Sequence, residues 1–382
     1  MLITDVSVRV FRHTTRRHAD EAGHAHPGPP HKVALAILTL RTEDGDEGYA
    51  FAPPEVLRDH VIDKFVRKVL IGQDHRDRER LWHELAHWQR GSAAQLTDRT
   101  LAAVDTALWD LAGRALKQPV YKLIGGWRDA VPAYGSIMCG DEMEGGLATP
   151  EDYARFAEAL VERGYKGIKL HTWMPPVSWA PDVEMDLKAC AAVREAVGPG
   201  IALMIDAFHW YSRTDALKLG KGLEKLGFDW IEEPMDEQSM ASYRWLADNL
   251  DIPVLGPESA AGKHMARGDW AAAGACDILR TGVSDVGGLT PALKTMRLAE
   301  GFGMDCEVHG NQSPNLHVVA ASRNCRWYER GLLHPFLDYD DGFDYLTSLS
   351  DPMDAQGLVH VPDRPGLGDE IDFDFIEDNR IA

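Results

Sequence analysis

The feature that most limits how this chain can fold is a rhythm of short apolar runs separated by amphipathic stretches, running from about residue 131 to residue 331. Eight runs read as strands: VPAYGSIM, GIKLH, ALMIDAF, WIEEP, PVLGPE, DILRTG, DCEVHG and RWYERG. Between most of them lie segments of helical period such as PEDYARFAEALVERG, TDALKLGKGLEKLG and PALKTMRLAEGFG. A crossover helix returns the chain to start the next strand in the same direction, so this alternation predicts a parallel sheet. The count of eight, with no G-x-G-x-x-G after any strand, favours closure into a barrel over an open dinucleotide-binding sheet. The expected fold class is α/β, built on a modified (β/α) TIM-type barrel.

The flanks have another texture. Residues 1–53 read as strands: MLITDVSVRVFRH alternates apolar and polar positions, and VALAILTLRTEDGDEGYAFA carries turn chemistry at Asp44-Gly45 and Glu47-Gly48. The intervening RRHADEAGHAHPGPPHK is polar and rich in Gly and Pro, so a surface loop is expected there. Residues 54–126 are helical in period, most clearly at Leu101, Val104, Ala107, Leu108 and Leu111. The tail, GLVHVPDRPGLGDEIDF, is turn-rich and strand-like.

Composition narrows the partners. Forty basic against 60 acidic residues leave a net charge of −20, which repels a phosphate backbone, so nucleic acid is not an expected partner. The strongest apolar run, VALAILTL, is far short of the roughly 20 residues that cross a bilayer, and no membrane association is expected. Cys139, Cys190, Cys276, Cys306 and Cys325 are odd in number, scattered and never in a C-x-x-C, which fits a reducing compartment. With no apolar signal core at the N-terminus, a cytoplasmic location is expected.

In a (β/α) barrel the reacting groups sit at the C-terminal ends of the strands. Those ends carry Lys169, Asp206, Glu232, Glu258, His309 and Glu329. Asp206, Glu232 and Glu258 fall on three consecutive strands, and three hard oxygen ligands in a ring suit Mg²⁺, with positions left for substrate and water. A proton next to a carboxylate is very weakly acidic. Removing it requires a cation that offsets the developing charge and a Lys or His that takes the proton.

Other residues are candidates for substrate contact. His24, His26 and His31, with His18, fall in the polar loop, which reads as a lid over substrate hydroxyls. His209, three residues past Asp206, is a further candidate. In TWMPPVSWAPDVEMD, Trp173 and Trp179 with three prolines either wall the site or pack on one another. His83-Glu84-Leu85-Ala86-His87 has the H-E-x-x-H spelling of zinc peptidases. No third His follows before His171, and Trp82, Leu85 and Trp88 give the segment one apolar side, so an ordinary helix is expected.

The stretch AAVDTALWDLAGRALKQPVYKLIGG, at 102–126, resembles the signature of the enolase superfamily, mandelate racemase-like branch. So do GYKGIKLH, LMIDAF, WIEEP, the GGLT turn, the strand-seven His and VPDRPGLG; the similarity spans nearly the whole chain. The resemblance implies an α+β capping domain over 1–128, a (β/α) barrel catalytic domain over 129–345, and a tail over 346–382 that returns to the cap. It implies one Mg²⁺ per subunit on Asp206, Glu232 and Glu258, with Glu233 in support, and Glu329 as the acid that hydrogen-bonds the developing enediolate. It further implies a capping loop at 14–32 that closes over substrate, and a dimer-based homo-oligomer, up to an octamer.

The sequence departs from that pattern at three places, one of them Phe208, followed by His209, where Asn often stands two residues after the strand-three ligand. The branch usually carries Lys-x-Lys on strand two, and here Lys169-Leu170-His171 puts His171 where the second lysine commonly acts as base. The strand-six Asp that pairs with the strand-seven His is replaced: counting back from Gly287-Gly288 gives Gly282. The expected function is Mg²⁺-dependent dehydration of a small-molecule sugar acid, by loss of the α-proton and then the β-hydroxyl to give a 2-keto-3-deoxy acid. Lys169 or His171 is the base on one face, and His309 is the acid or the base of the other. The alternatives are a racemase or epimerase of a 2-hydroxy acid, and a metal-binding remnant with weak catalysis, which the absent Asp alone supports.

Overall fold

Period-two alternation in the first 52 residues needs a sheet with one buried face, and the first layer of the structure supplies it. The computed structural model describes residues 1–20 and 24–381. Strand β1 (Ile3–Ala19) pairs antiparallel with β2 (Ala25–Thr42), and β2 pairs with β3 (Glu47–Ala52). Their apolar face, including Ile3, Val6, Leu38, Leu40 and Ala50, packs on the helices Arg78–Gln89 and Asp98–Leu116 through Leu81, Leu85, Val104, Leu108 and Leu111.

The surface loop expected over RRHADEAGHAHPGPPHK is instead largely a two-stranded ribbon. Pairing continues out to Ala19↔Ala25, with one irregularity between Thr15 and Arg17; Glu21, Ala22 and Gly23 of that stretch lie outside the described residues. The prolines are tolerated because β3 covers β2 only from Ala36 to Arg41, so this part of β2 has a free edge that needs no amide donors. Local composition signals a loop there, and cross-strand hydrogen bonding overrides it.

In the second layer, caps set the strand–helix rhythm. Thr149 accepts a hydrogen bond from Asp152 N at the start of the helix Pro150–Glu162, and Ser212 does the same from Asp215 N for Arg213–Leu226. Gly227, at φ 65°, ends that second helix in the left-handed region, which an L side chain adopts only with strain. Eight parallel strands result: β4 (Ala130–Ile137), β5 (Gly167–His171), β6 (Ala202–Asp206), β7 (Trp230–Glu232), β8 (Val254–Gly256), β9 (Ile278–Thr281), β10 (Asp305–Val308) and β11 (Tyr328–Leu333). They lie in chain order from β4 to β10, and β11 pairs with β4 on its other side, curling the sheet into a barrel. All eight runs read from the sequence are strands here.

Between β10 and β11 no backbone ladder forms among the described residues. A buried carboxylate bridges the seam: Glu307 accepts from Arg326 N (2.8 Å) and Trp327 N (3.1 Å), and Cys306 N reaches Asn324 O (2.8 Å). Inside the barrel, Tyr134, Met204, Trp230, Leu255 and Trp327 form an apolar layer. This plug fills the interior and leaves the next layer up for polar groups.

The tail first adds β12 (Leu358–His360) antiparallel to β4 and then reaches the cap. Its final helix, Phe373–Asp378, buries Ile376 against Phe11, Ile37 and Tyr345, and Arg12 N and Ile381 N hydrogen-bond across the junction at 3.0 and 2.7 Å. Asp110 ties cap and tail together by accepting from Tyr49 N (2.9 Å) and Leu367 N (2.8 Å). Among the described residues no helix is long and apolar enough to cross a membrane.

Glu307→Ala strands one buried and one part-buried amide donor at the seam. The expected cost is about 2–5 kcal/mol of unfolding free energy, read by guanidinium titration. A loss below about 1 kcal/mol would show that the seam does not depend on this carboxylate.

Candidate active site

One register rule places most of the site. Side chains on a strand alternate faces, so a residue two positions beyond an inward-facing one also faces inward. Two residues past Gly167, Met204, Trp230, Ile278 and Trp327 come Lys169, Asp206, Glu232, Arg280 and Glu329, and these form a buried charged layer directly above the apolar plug. Asp206 and Glu232 are register partners on adjacent strands. Lys169 Nζ lies 3.3 Å from Asp206, 3.1 Å from Glu232 and 3.1 Å from Glu329. Arg280 Nη2 lies 2.8 Å from both Glu232 and Glu329, and Nε lies 3.4 Å from Glu258.

The charges hold one another. Burial opposes the ammonium of Lys169, but Glu232 and Glu329 outweigh it and keep the lysine well above its ordinary range. Burial likewise disfavours the Glu329 carboxylate, and Lys169 and Arg280 hold it well below the usual carboxylate range. Arg280 has no counterpart in the sequence reading. It sits inside the run DILRTG rather than at its end, and only the alternation relative to Ile278 signals that it points inward.

Glu258 lies beyond the end of β8, so a loop positions it. Glu237 holds that loop by accepting from the amides of Glu258 (2.7 Å), Ser259 (2.6 Å) and Ala260 (2.9 Å), and the Arg267 guanidinium donates to the Glu258 carbonyl. The turns after β6 and β7 are strained: Phe208, His209 and Glu233 have φ of 53°, 66° and 43°, each costing of order 1–3 kcal/mol. Glu233 faces His209 Nε2 at 3.1 Å. Burial, with Glu258 and Glu237 beside it, pushes the Glu233 carboxyl well above its ordinary range, which suits a supporting group better than a charged ligand.

The partner expected to be missing for His309 is present. Asp285 Oδ2 lies 2.8 Å from His309 Nδ1, and Glu258 Oε1 lies 3.2 Å from Nε2. Burial pulls the imidazole pKa down, but Glu258 and Asp285 outweigh it and push it up to about 10. The count from Gly287-Gly288 led to Gly282 and passed over Asp285, three residues further on. The chain makes one turn after β9, with Asp285 N and Val286 N both bonded to Gly282 O, so Asp285 folds back over Gly282. A Cβ at Gly282 would lie 2.0 Å from Asp285 Oδ2, so the glycine makes the room that this carboxylate occupies.

On the opposite side, His171 is fixed through both ring nitrogens: Nδ1 is 2.6 Å from Ile137 O and Nε2 is 3.1 Å from Asp206. His24 is buried nearby, its ring 4.7 Å from that of Phe208, which is 5.5 Å from His171. His26 turns to Asp20 (2.8 Å) and His31 stacks on His18 (4.0 Å), so of these ribbon histidines it is His24 that packs beside the site. Trp173 is no wall over substrate. It is fully buried, packed on Tyr153 (5.1 Å) and Trp179 (5.3 Å), because the segment folds onto its own aromatics. His83 and His87 stand on an ordinary helix whose Trp82 donates to Gly287 O (2.7 Å).

Asp206, Glu232 and Glu258 fit Mg²⁺ by donor chemistry and by charge. With Glu329 they make four carboxylates against the two cations Lys169 and Arg280, and a divalent cation would balance the excess. Among the described residues no three His, Cys, Asp or Glu side chains are drawn tightly enough to clasp a metal as they stand, since Lys169 and Arg280 sit between the carboxylates.

Arg280→Met leaves Glu232, Glu258 and Glu329 facing one another without their shared cation. Breaking such a buried network costs about 3–5 kcal/mol, which denaturant titration of the metal-free protein would read. A change under about 1 kcal/mol would mean that solvent screens the cluster.

Over residues 8–125 the chain matches the family model of the mandelate racemase / muconate lactonizing enzyme N-terminal domain, and over residues 152–375 the enolase C-terminal domain-like model. The D-glucarate dehydratase from Agrobacterium tumefaciens, solved in complex with magnesium, is 81% identical and superposes with a TM-score of 0.99 over 100% of both chains. The arabinonate dehydratase of Saccharolobus solfataricus is 32% identical over 355 residues, 88% of either chain. The D-galactarolactone cycloisomerase of Agrobacterium fabrum is 30% identical over 359 residues, 91% of this chain and 92% of that one. The chain belongs to the enolase superfamily, in the mandelate racemase/muconate lactonizing enzyme branch.

Proposed function

We propose that the chain is a Mg²⁺-dependent sugar-acid dehydratase, which removes the proton α to the substrate carboxylate and expels the β-hydroxyl to leave a 2-keto-3-deoxy acid. The observation that carries this reading is the placement of two kinds of proton-transfer group around one carboxylate ring. Lys169 and His171 come from β5, His309 follows β10, and the three ligand candidates on β6, β7 and just beyond β8 lie between them. The 81%-identical protein of known structure, a D-glucarate dehydratase with magnesium, supports it.

Bound Mg²⁺, held by Asp206, Glu232 and Glu258, would supply positive charge at the substrate carboxylate as the α-proton leaves. Lys169 or His171 takes that proton. The contact of His171 Nδ1 with Ile137 O orients the ring so that Nε2 faces the carboxylates. His309, an imidazolium between Asp285 and Glu258, donates a proton to the departing hydroxyl. Glu329, fixed by Lys169, Arg280 and Gly310 N (2.8 Å), faces the oxygens on which negative charge develops. The remnant alternative loses its ground, because Asp285 supplies His309 with a carboxylate partner at 2.8 Å. Racemisation begins with the same proton abstraction and differs in its product.

The reading is tested by screening the Mg²⁺-loaded protein against aldonic, aldaric and uronic acids, with 2-keto products read as semicarbazones. Activity is expected to vanish with EDTA and in Glu232→Gln, and to fall about 10²- to 10⁴-fold in Asp285→Asn. Solvent deuterium entering the α-position without 2-keto acid would establish an epimerase instead. Unchanged turnover in Glu232→Gln would remove the metal assignment.

The same reading includes a cytoplasmic location, supported by five unpaired, buried cysteines, and a dimer-based homo-oligomer, up to an octamer. Light scattering that returned a monomer would remove the assembly.

A further inference from the structure

Between cap and barrel lies a cavity of about 660 Å³ that reaches His309 and Asp285. Arg17 lines it from β1, at the point where the ribbon register shifts. Such an irregularity re-aims the side chains that follow it. The guanidinium of Arg17 makes one hydrogen bond, to Leu332 O at 3.3 Å, and its carbon lies 5.9 Å over the Tyr339 ring. Among the described residues no carboxylate pairs with it.

The neighbouring charges are already satisfied. Asp351, whose charge acts on Arg17, accepts from Tyr328 (2.8 Å) and Tyr339 (2.7 Å) hydroxyls, while Arg330 takes Asp340. Of the other arginines of the cavity, Arg114 is paired with Asp110 at 2.7 Å, and Arg16 and Arg99 are exposed at its rim. Arg128, Arg194 and Arg267 are likewise buried or half-buried without an ion pair, but each donates to two or more backbone carbonyls, whereas Arg17 donates to one and faces the cavity. It also connects to the loop that follows His309, because the hydroxyl of the Tyr339 beneath it accepts from Asn311 Nδ2 (2.9 Å), two residues past His309.

Resting on the dehydratase reading, we propose that Arg17 receives a second carboxylate, at the far end of the substrate, and so selects aldaric acids over aldonic acids. A sugar acid whose reacting carboxylate lies at the Asp206–Glu232–Glu258 ring extends past His309 into this cavity. The planar guanidinium fork matches a carboxylate there in geometry as well as charge, which a terminal hydroxymethyl group does not. Arg17 is then a specificity-determining residue contributed by the cap to a reaction carried out in the barrel.

The test compares an aldaric acid with the aldonic acid of the same configuration, by calorimetric binding to the Mg²⁺-loaded wild type, Arg17→Met and Arg17→Lys. Arg17→Met is expected to weaken the diacid by about 10- to 100-fold and to leave the monoacid within about threefold. Arg17→Lys should recover part of the diacid affinity. Equal losses for both ligands, no loss for the diacid, or no preference in the wild type would each overturn the assignment. Binding is measured separately from turnover, so a wild type that prefers the diacid without dehydrating it would refute the dehydratase reading and leave the Arg17 assignment standing.

Discussion

The buried charge layer at the mouth of the barrel is the interaction on which the rest of the structure depends. Isolated charges in a protein interior are costly, and an acid-rich ring would protonate or spread apart without cations among its members. Lys169 and Arg280 prevent both, each bridging three carboxylates. The layer can exist because the apolar plug beneath it fills the interior and blocks water from below, and because parallel strands in register deliver one polar side chain each at the same height. The strands that close the barrel are thus the strands that carry the site.

The strands and their ends were legible because a period of two and a period of 3.6 leave unmistakable traces over eight repeats. Asp206 and Glu232 could be read because they terminate apolar runs, whereas Glu329 stands second in β11 rather than at its C-terminal end. Arg280 could not, since inward direction at mid-strand is a property of register with neighbouring strands, which one sequence does not display. Asp285 escaped for a related reason: spacing locates backbone, whereas a one-turn fold-back carries a side chain to a place three residues away in sequence. The ribbon formed by residues 16–19 and 25–32 reads as a loop in the sequence because glycine and proline report local preference, and pairing across strands is decided non-locally.

Cap, barrel and tail are interdependent through a few buried polar contacts. Asp110 joins a cap strand to the tail, Glu307 closes the barrel seam by side chain rather than ladder, and Trp82 of the cap donates to the turn that follows Asp285. The last of these connects a helix of the cap to the loop that holds the partner of His309. Side chains from both layers then line the cavity beside the dyad, so substrate choice and acid–base chemistry can vary on separate parts of the chain.

The exchange at Gly282 and Asp285 bears on how function is inferred across a superfamily. Column-by-column comparison of strand six would score this chain as having lost a proton-relay partner and would file it with inactive descendants. Asp285 reaches His309 Nδ1 from three residues beyond Gly282, and the missing Cβ at that glycine leaves the space its carboxylate fills. Catalogues of catalytic residues indexed by alignment column will therefore undercount intact dyads wherever a turn can supply the missing group from a few residues downstream.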